Sequence, residues 1–168
     1  PENAREILAN LGKNIDVVAG IFDETMLDLR HCEGLALSRE PFCCAVSVHH
    51  RLAAKDKLKI EDLYGENLML MRRDWSNYVD RLRDDIWQNH SQIHIVDFDF
   101  YSMEAFNRCE NSNDVLLAIP GWATVHPLLK VIPVEWEHSI PFGLLHSPKP
   151  SETVRRFLEA ARLAANHE

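Results

Sequence analysis

The chain has 168 residues, of which 46% are hydrophobic and 26% charged, and its formal net charge is −8 at pH 7. This length can bury a sizeable core in one domain or two small lobes, and the composition excludes a disordered chain. The negative charge argues against nucleic-acid binding by this stretch itself, because phosphate contacts need a basic face. No apolar run approaches the roughly 20 residues of a membrane span, so we expect no membrane partner.

The first residues predict a helix and then a buried strand. Ala4, Ile7 and Leu11 recur at helical spacing, and Gly12 follows as a C-cap. The apolar run 15–21 is typical of a strand covered on both faces, and a polar loop at residues 23–24 ends it. No basic and apolar signal-peptide pattern precedes this helix, and we therefore expect a cytoplasmic location.

The remaining chain alternates short apolar strands with helices. Residues 35–48 predict one or two strands interrupted at residue 41, and further strands are predicted at 67–71, 93–100, 115–120, 131–134 and 143–145. Helices are expected after Asp74 or Ser76, after Ser102 with Met103 and Phe106 facing inward, and after residue 151. The last helix has an apolar stripe that we expect to be buried: Val154, Phe157, Leu158, Ala161 and Ala165. This alternation predicts an α/β fold with mostly parallel sheets.

Cysteine and histidine spacing indicates neither a disulfide framework nor a metal site. The four cysteines are Cys32, Cys43, Cys44 and Cys109. None forms a Cys-x-x-Cys pair, and Cys43 and Cys44 point to opposite faces of a predicted strand, so we expect buried free thiols. His49 and His50 stand in a predicted turn, where solvated side chains are expected. We assign no metal and no cofactor.

The stretch from Val46 to Leu63 resembles a passage of a known family. A small-residue strand is followed by His50-Arg51-Leu52-Ala53, a basic spacer and Asp62-Leu63. This order is similar to the passage between the two lobes in the effector-binding domain of LysR-type transcriptional regulators, where His-Pro-Leu-Ala is usual and Arg51 here replaces the proline. The passages around residues 8–21 and 115–134 resemble further parts of the same domain.

The resemblance implies a two-lobed, periplasmic-binding-protein-like (type 2) α/β fold with mostly parallel sheets, joined by two crossover strands. We expect residues 1–62 and 137–168 to form the first lobe and residues 63–136 the second. The family domain opens with a strand, a helix and a second strand that have no counterpart here, so an N-terminally truncated domain is expected. The resemblance also implies a small-molecule effector in the cleft between the lobes, a homo-oligomer, and DNA contact only through a helix-turn-helix module absent from this chain.

Two helix starts that follow strands offer an anion-binding site. Free backbone N–H groups and the helix dipole favour a negative charge there, so a small or aromatic carboxylate is the expected effector class. Arg72 and Arg73 lie beside the first start. The predicted effector-binding residues are Phe22, Asp23, Arg72, Trp75, Ser76, Phe100, Tyr101 and Ser102. The alternative is that Ser76 and Ser102 only cap helices and the arginines are solvated.

Other function classes stay open beside this one. A stand-alone solute-binding protein of similar two-lobed build is one alternative, and a prephenate-dehydratase-like enzyme is another. Catalysis needs a nucleophile with a base, paired carboxylates or a metal cluster, and the sequence shows none of these patterns. Asp97 and Asp99 share one face of a strand, which we interpret as its solvent side. We therefore predict a protein without catalytic residues.

Overall fold

The computed structural model describes the backbone of residues 2–166 and the side chains from Glu6 onward. The helices are α1 (Glu2–Ala9), α2 (Glu24–Arg30), α3 (Asn77–Asn89), α4 (Met103–Glu110) and α5 (Glu152–Ala165). The strands are β1 (Val17–Ile21), β2 (Glu33–Pro41), β3 (Cys43–Ser47), β4 (Asn67–Met71), β5 (His94–Phe98), β6 (Val115–Ala118), β7 (Leu129–Pro133) and β8 (Ser139–His146). The predicted alternation of helices and strands from residue 67 to residue 118 is thus confirmed.

The chain divides into two compact units. Unit 1 consists of Pro1–Glu40 and Ile140–Glu168, and unit 2 is Pro41–Ser139. The second predicted boundary, at residue 137, lies within three residues of this division, but the first, at residue 62, differs from it. Residues 41–62 lie in unit 2 because β3 pairs with both β6 and β7. Sequence alone did not show that the two halves of the predicted strand region 35–48 join different sheets.

Unit 1 contains a three-stranded sheet in the order β1-β8-β2, with β1 antiparallel to β8. Its small core consists of Phe22, Cys32 and Leu145, against which partly buried residues of α1 and α2 pack. Gly12, just after α1, has φ +80, which is the left-handed conformation predicted for a C-cap glycine. The side chain of Ala4, predicted to face inward, lies outside the described side chains.

Helix α2 is an element that the sequence interpretation missed. Asp23 precedes it, and its Oδ1 accepts a hydrogen bond from the Met26 N–H at 2.8 Å. The signal was present, because an aspartate three residues before an apolar pair is a helix start. The predicted polar loop at residues 23–24 is therefore wrong.

Unit 2 contains a five-stranded sheet in the order β5-β4-β6-β3-β7. β4 is parallel to β5 and to β6, whereas β3 is antiparallel to β6 and β7. The sheets are thus mixed, and the prediction of mostly parallel sheets is wrong. The crossovers through α3 and α4 produce the parallel pairing of β4 with β5 and β6, whereas no α-helix lies between β3 and β4 or between β6 and β7.

Both faces of the unit 2 sheet are covered. On one face α4 contributes Ala105, Phe106 and Cys109 to a core that includes Met69 and Leu116. Helix α3 buries Val79, Leu82 and Ile86. The inward orientation predicted for Phe106 is confirmed, but Met103 is 51% exposed because it begins α4 and the buried face starts two residues later.

Helix α5 is much less buried than its apolar stripe predicts. Val154 is its buried residue, Phe157 is 53% exposed, and Leu158, Ala161 and Ala165 are only partly buried. The core residues of unit 1 lie outside α5, which adds only Val154 to the buried residues, so most of its stripe stays partly exposed.

The turn after β3 contains a buried histidine, contrary to the expected solvated pair. His49 is exposed, but His50 is only 6% exposed. The His50 Nδ1 accepts a hydrogen bond from the Leu52 N–H at 3.0 Å, and its Nε2 lies 3.1 Å from both Glu66 Oε2 and the Asn113 carbonyl. Arg51, in place of the usual proline, donates from Nε to Glu66 Oε1 at 2.6 Å. These partners are distant in sequence, so the local pattern did not reveal them.

The four cysteines are buried and free, as the sequence predicts. Burial raises the pKa of the Cys109 thiol to about 12 and raises that of Cys44 even more. Cys109 lies 3.5 Å from the carbonyl oxygens of Ala45 and Asp114, to which its thiol donates. These two thiols of unit 2 are therefore structural rather than nucleophilic.

Candidate functional site

Three parallel strands of unit 2 end at one edge of its sheet. The chain runs from β4 through α3 to β5 on one side, and then through α4 to β6 on the other side of β4. Ligands of open α/β sheets bind beyond the carboxyl ends of strands at such a reversal of direction. We call the segments 72–76, 99–102 and 119–122, which follow these three strands, the carboxyl edge.

The α3 start is held rigidly by its own helix. Ser76 is 3% exposed, and its Oγ accepts a hydrogen bond from the Val79 N–H at 3.4 Å. In the preceding loop, Asp74 has φ +73, an uncommon conformation for a residue with a side chain, and its N–H donates to Asp80 Oδ2 at 3.0 Å. A strained backbone of this kind persists only where surrounding contacts fix it, and it is most frequent at functional sites.

Arg83 of α3 is a site-supporting residue that the sequence interpretation missed. It is only 9% exposed, its Nη2 donates to the Met71 carbonyl at 2.6 Å, and the same atom lies 2.7 Å from Asp97 Oδ1. It thus ties the ends of β4 and β5 together. Its position between Val79 and Ile86 on the buried face of α3 was the signal that could have revealed it.

The α4 start opens onto a cavity of about 420 Å³. Ser102 caps α4 by accepting a hydrogen bond from the Ala105 N–H at 3.3 Å. Of the predicted effector-binding residues, Phe100 and Ser102 line this cavity. Its charged lining residues are Asp97, Asp99, Glu104 and Arg108.

The acidic residues of the cavity are largely compensated. Asp99 forms an ion pair with Arg72, and Asp97 pairs with Arg83. Arg72 is therefore bound to a carboxylate of the protein instead of standing free beside a ligand. Glu104 has no ion-pair partner among the described residues, and it is the acid whose charge a bound anion meets.

Tyr101 supports the carboxyl edge from within the unit 2 core. Its hydroxyl donates to the Leu117 carbonyl at 2.7 Å, and burial raises the pKa of the phenol. Its ring packs edge-on against Phe98 and Trp122, with centroids 4.8 and 4.5 Å apart. Trp122, which follows β6, was not among the predicted residues, although it stands directly after a predicted strand end.

The other predicted residues have structural roles of their own. Trp75 is half-buried at the α3 start. Phe22 and Asp23 belong to unit 1, where they are 7% and 3% exposed. Phe22 is part of the unit 1 core, and Asp23 caps α2. Ser76 and Ser102 both cap helices, as the alternative interpretation expected.

The described part of the chain has neither a membrane-spanning helix nor a metal cluster. Residues 2–166 contain no helix long and apolar enough to cross a membrane. Among the described side chains, residues 6–166, no three or more of His, Cys, Asp or Glu are arranged to hold a metal ion.

The fold assigns the chain to a class of proteins. It has two α/β units, between which the chain passes twice, and a strand reversal that exposes helix starts. This is the periplasmic-binding-protein-like (type 2) fold of ligand-binding domains. The sequence model of the LysR substrate binding domain matches residues 1–165, and the chain belongs to this family. It is accordingly a regulatory, ligand-sensing domain at the level of the family.

Solved structures agree with the fold. The effector binding domain of QuiR in complex with shikimate is 15% identical, with a TM-score of 0.67, and the match covers 98% of this chain and 78% of that one. CbnR, a LysR family transcriptional regulator, is 18% identical with a TM-score of 0.67, over 98% of this chain and 56% of CbnR. The Synechocystis PCC6803 CcmR regulatory domain in complex with 2-PG is 13% identical with a TM-score of 0.59, over 98% of this chain and 79% of that domain. A search of curated protein sequences finds no match.

Proposed function

We propose that the carboxyl edge of unit 2 binds the small-molecule effector of a LysR-type transcriptional regulator, and that this effector carries a carboxylate. The observation that carries the proposal is the strand reversal around β4, which brings two serine-capped helix starts to one edge beside a cavity of about 420 Å³. This volume lies within the range of small-molecule pockets. The structures of QuiR with shikimate and CcmR with 2-PG support a small ligand for this fold.

Ser102 is the residue most directly placed to contact the effector. It lines the cavity, whereas Ser76 is buried and does not. The first turn of α4 presents backbone N–H groups that can hold an anionic oxygen, and Phe100 offers an apolar surface beside them. Arg72 and Arg83 compensate the charges of the two aspartates in the cavity. Glu104, which has no ion-pair partner among the described residues, is therefore the main source of repulsion for a bound carboxylate.

The wider function of the protein is also a proposal. A ligand shifts a regulator only through its different affinity for two arrangements of the protein, so effector binding here serves as the input signal. We assign DNA contact to a helix-turn-helix module and not to this chain, whose net charge is −8. We further propose a cytoplasmic homo-oligomer without catalytic activity, in line with the regulatory character of the family.

A ligand screen with matched variants tests the site. The thermal stability of the protein is measured with small monocarboxylates such as benzoate and shikimate, and with benzamide as the uncharged analogue. Ser102→Ala should reduce the affinity for a stabilising carboxylate by about tenfold, because a polar contact to a charged group is lost. Ser76→Ala should have a smaller effect, and benzamide should not stabilise the protein.

The control is Ser151→Ala, which removes an N-cap of the same geometry from α5 in unit 1. It should lower stability by about 1 kcal/mol without changing the affinity for the carboxylate. Glu104→Gln should tighten carboxylate binding because it removes the uncompensated charge. The proposed site is contradicted if a carboxylate binds the Ser102→Ala variant as tightly as it binds the unchanged protein. It is also contradicted if the carboxylate binds the Glu104→Gln variant more weakly than it binds the unchanged protein.

A further inference from the structure

Unit 1 contains a second cavity, of about 350 Å³, which the proposed effector site does not include. Strands β2 and β8 contribute one wall and α5 the other. Its lining includes Leu35, His146, Arg155, Leu158, Glu159 and Arg162. The cavity thus combines two apolar side chains with a group of charged ones.

The charged residues on α5 leave one guanidinium without a partner. Arg155, Glu159 and Arg162 recur at the spacing of one helix face. Both oxygens of Glu159 accept hydrogen bonds at 2.6 Å from Arg162 Nη2. The Arg155 side chain has no ion pair or hydrogen bond with any described residue, whereas its neighbour Arg156 pairs with Glu152 at 3.1 Å. The α5 wall therefore has a net charge of +1, contributed by Arg155.

His146 adds a buried polar group to the same cavity. It is only 8% exposed, and its Nδ1 lies 2.8 Å from the Ser147 carbonyl. Because a carbonyl oxygen only accepts, Nδ1 carries the hydrogen and Nε2 is left as the second polar atom. Nε2 has no hydrogen-bond partner among residues 6–166. Nε2 is not among the fully buried atoms that lack a partner, and as an acceptor it cannot bond to a carboxylate oxygen, so the charged partner for an anion in this cavity is Arg155.

We propose that this cavity binds a small monocarboxylate with an apolar group, independently of the carboxyl edge. The single uncompensated positive charge of Arg155 matches one carboxylate, and the planar guanidinium can hold both of its oxygens. Leu35 and Leu158 provide contact for the apolar part. Glu33 and Asp28 do not line the cavity, and β2 contributes only the uncharged Gly34 and Leu35 to its wall.

A titration with benzoate tests this second site. The experiment uses the Ser102→Ala protein, so that binding at the carboxyl edge is weakened, and follows the backbone amide NMR signals of residues 152–165. Benzoate should perturb these signals, and Arg155→Gln should weaken that binding by about tenfold. Arg155 is exposed, so this variant should fold normally.

The matched control is Arg156→Gln, the adjacent residue, which does not line the cavity. It should bind benzoate within twofold of its parent protein. Inorganic phosphate, which has no apolar group, should bind at least about tenfold more weakly than benzoate. The proposal is overturned if Arg155→Gln binds benzoate like its parent, if the α5 signals do not respond, or if phosphate binds as tightly. None of these results depends on whether the carboxyl edge binds the effector.

Discussion

The two units differ in how completely they bury strands and helices whose sequences are similarly apolar. In unit 2 every residue of β3 and β6 is buried, and Leu116 and Leu117 have no exposed surface. In unit 1 each residue of β1 retains exposed surface, and α5 buries only Val154. Both strands β1 and β6 are apolar runs that a sequence pattern treats alike.

This difference indicates where the stability of the chain is concentrated. A sheet of five strands with a helix on each face encloses side chains from all directions, whereas a sheet of three strands leaves its helices partly uncovered. Regions with few buried apolar contacts open at lower free energy than a packed core. We therefore expect unit 2 to form the stable part of the molecule and unit 1 to open first.

The largest expected difference between the units comes from shortening a leucine in each. Leu116→Ala in β6 should lower the free energy of unfolding by about 2–5 kcal/mol, because the side chain is fully buried and leaves a cavity. Leu163→Ala in α5 should change it by less than about 0.5 kcal/mol, since Leu163 is 51% exposed. Urea unfolding followed by circular dichroism measures both values, and equal losses would contradict the comparison.

Thiol accessibility sharpens the same comparison kinetically. Burial raises the pKa of Cys32 in unit 1, but the nearby Arg30 acts in the opposite direction, whereas burial raises the pKa of Cys109 in unit 2 to about 12. Cys32 also lies in the smaller core. Under native conditions iodoacetamide should therefore modify Cys32 at least about tenfold faster than Cys109.

Peptide mass spectrometry at successive times gives the two rates, and the same reaction in urea supplies the control. In the unfolded chain both thiols should react at similar rates, because burial no longer distinguishes them. Equal native rates would mean that both cysteines become accessible only when the whole chain unfolds.

Local signals predicted most of the unit 2 fold but not the pairing of its strands. Serines 76 and 102 stand before amphipathic segments, so the starts of α3 and α4 followed from capping alone. The antiparallel placement of β3 against β6 and β7 did not follow, because it depends on contacts between residues about 70 or more positions apart. The buried state of His50 was missed for the same reason.

The candidate site shows a similar limit. Phe100 and Ser102, which follow the end of β5, line a cavity, and their contact with an effector stays a prediction. The sequence could not show that Arg72 is paired with Asp99 or that the Tyr101 hydroxyl is bound to Leu117. A charged or aromatic residue after a strand is available to a ligand only if the protein itself leaves it without a partner, and this depends on the tertiary fold.

The smallest expected effect is the loss of folding stability at low pH, and we expect its acid-sensitive contact to lie in unit 2. There, His138 Nε2 lies 2.9 Å from Asp85 Oδ2, and this hydrogen bond, together with one from Asn89, holds the pKa of the Asp85 carboxyl below its usual value. A carboxyl whose pKa is lower in the folded state stabilises the fold above its unfolded pKa of about 3.9, and the contribution is lost as the pH falls through the folded pKa. Asp85→Asn should therefore lower the free energy of unfolding by less than about 1 kcal/mol at pH 6.

The difference between Asp85→Asn and the unchanged protein should shrink as the pH is lowered from about 5 to about 2, because both then have an uncharged group at this position. The matched control in unit 1 is Glu152→Gln, which removes the carboxylate of an exposed ion pair with Arg156. Its effect at pH 6 should be smaller than that of Asp85→Asn, because its two side chains are 80% and 69% exposed and solvent screens the pair. Urea unfolding across this pH range measures both differences. A larger acid-dependent loss in Glu152→Gln would place the acid-sensitive contact in unit 1 and reverse the comparison.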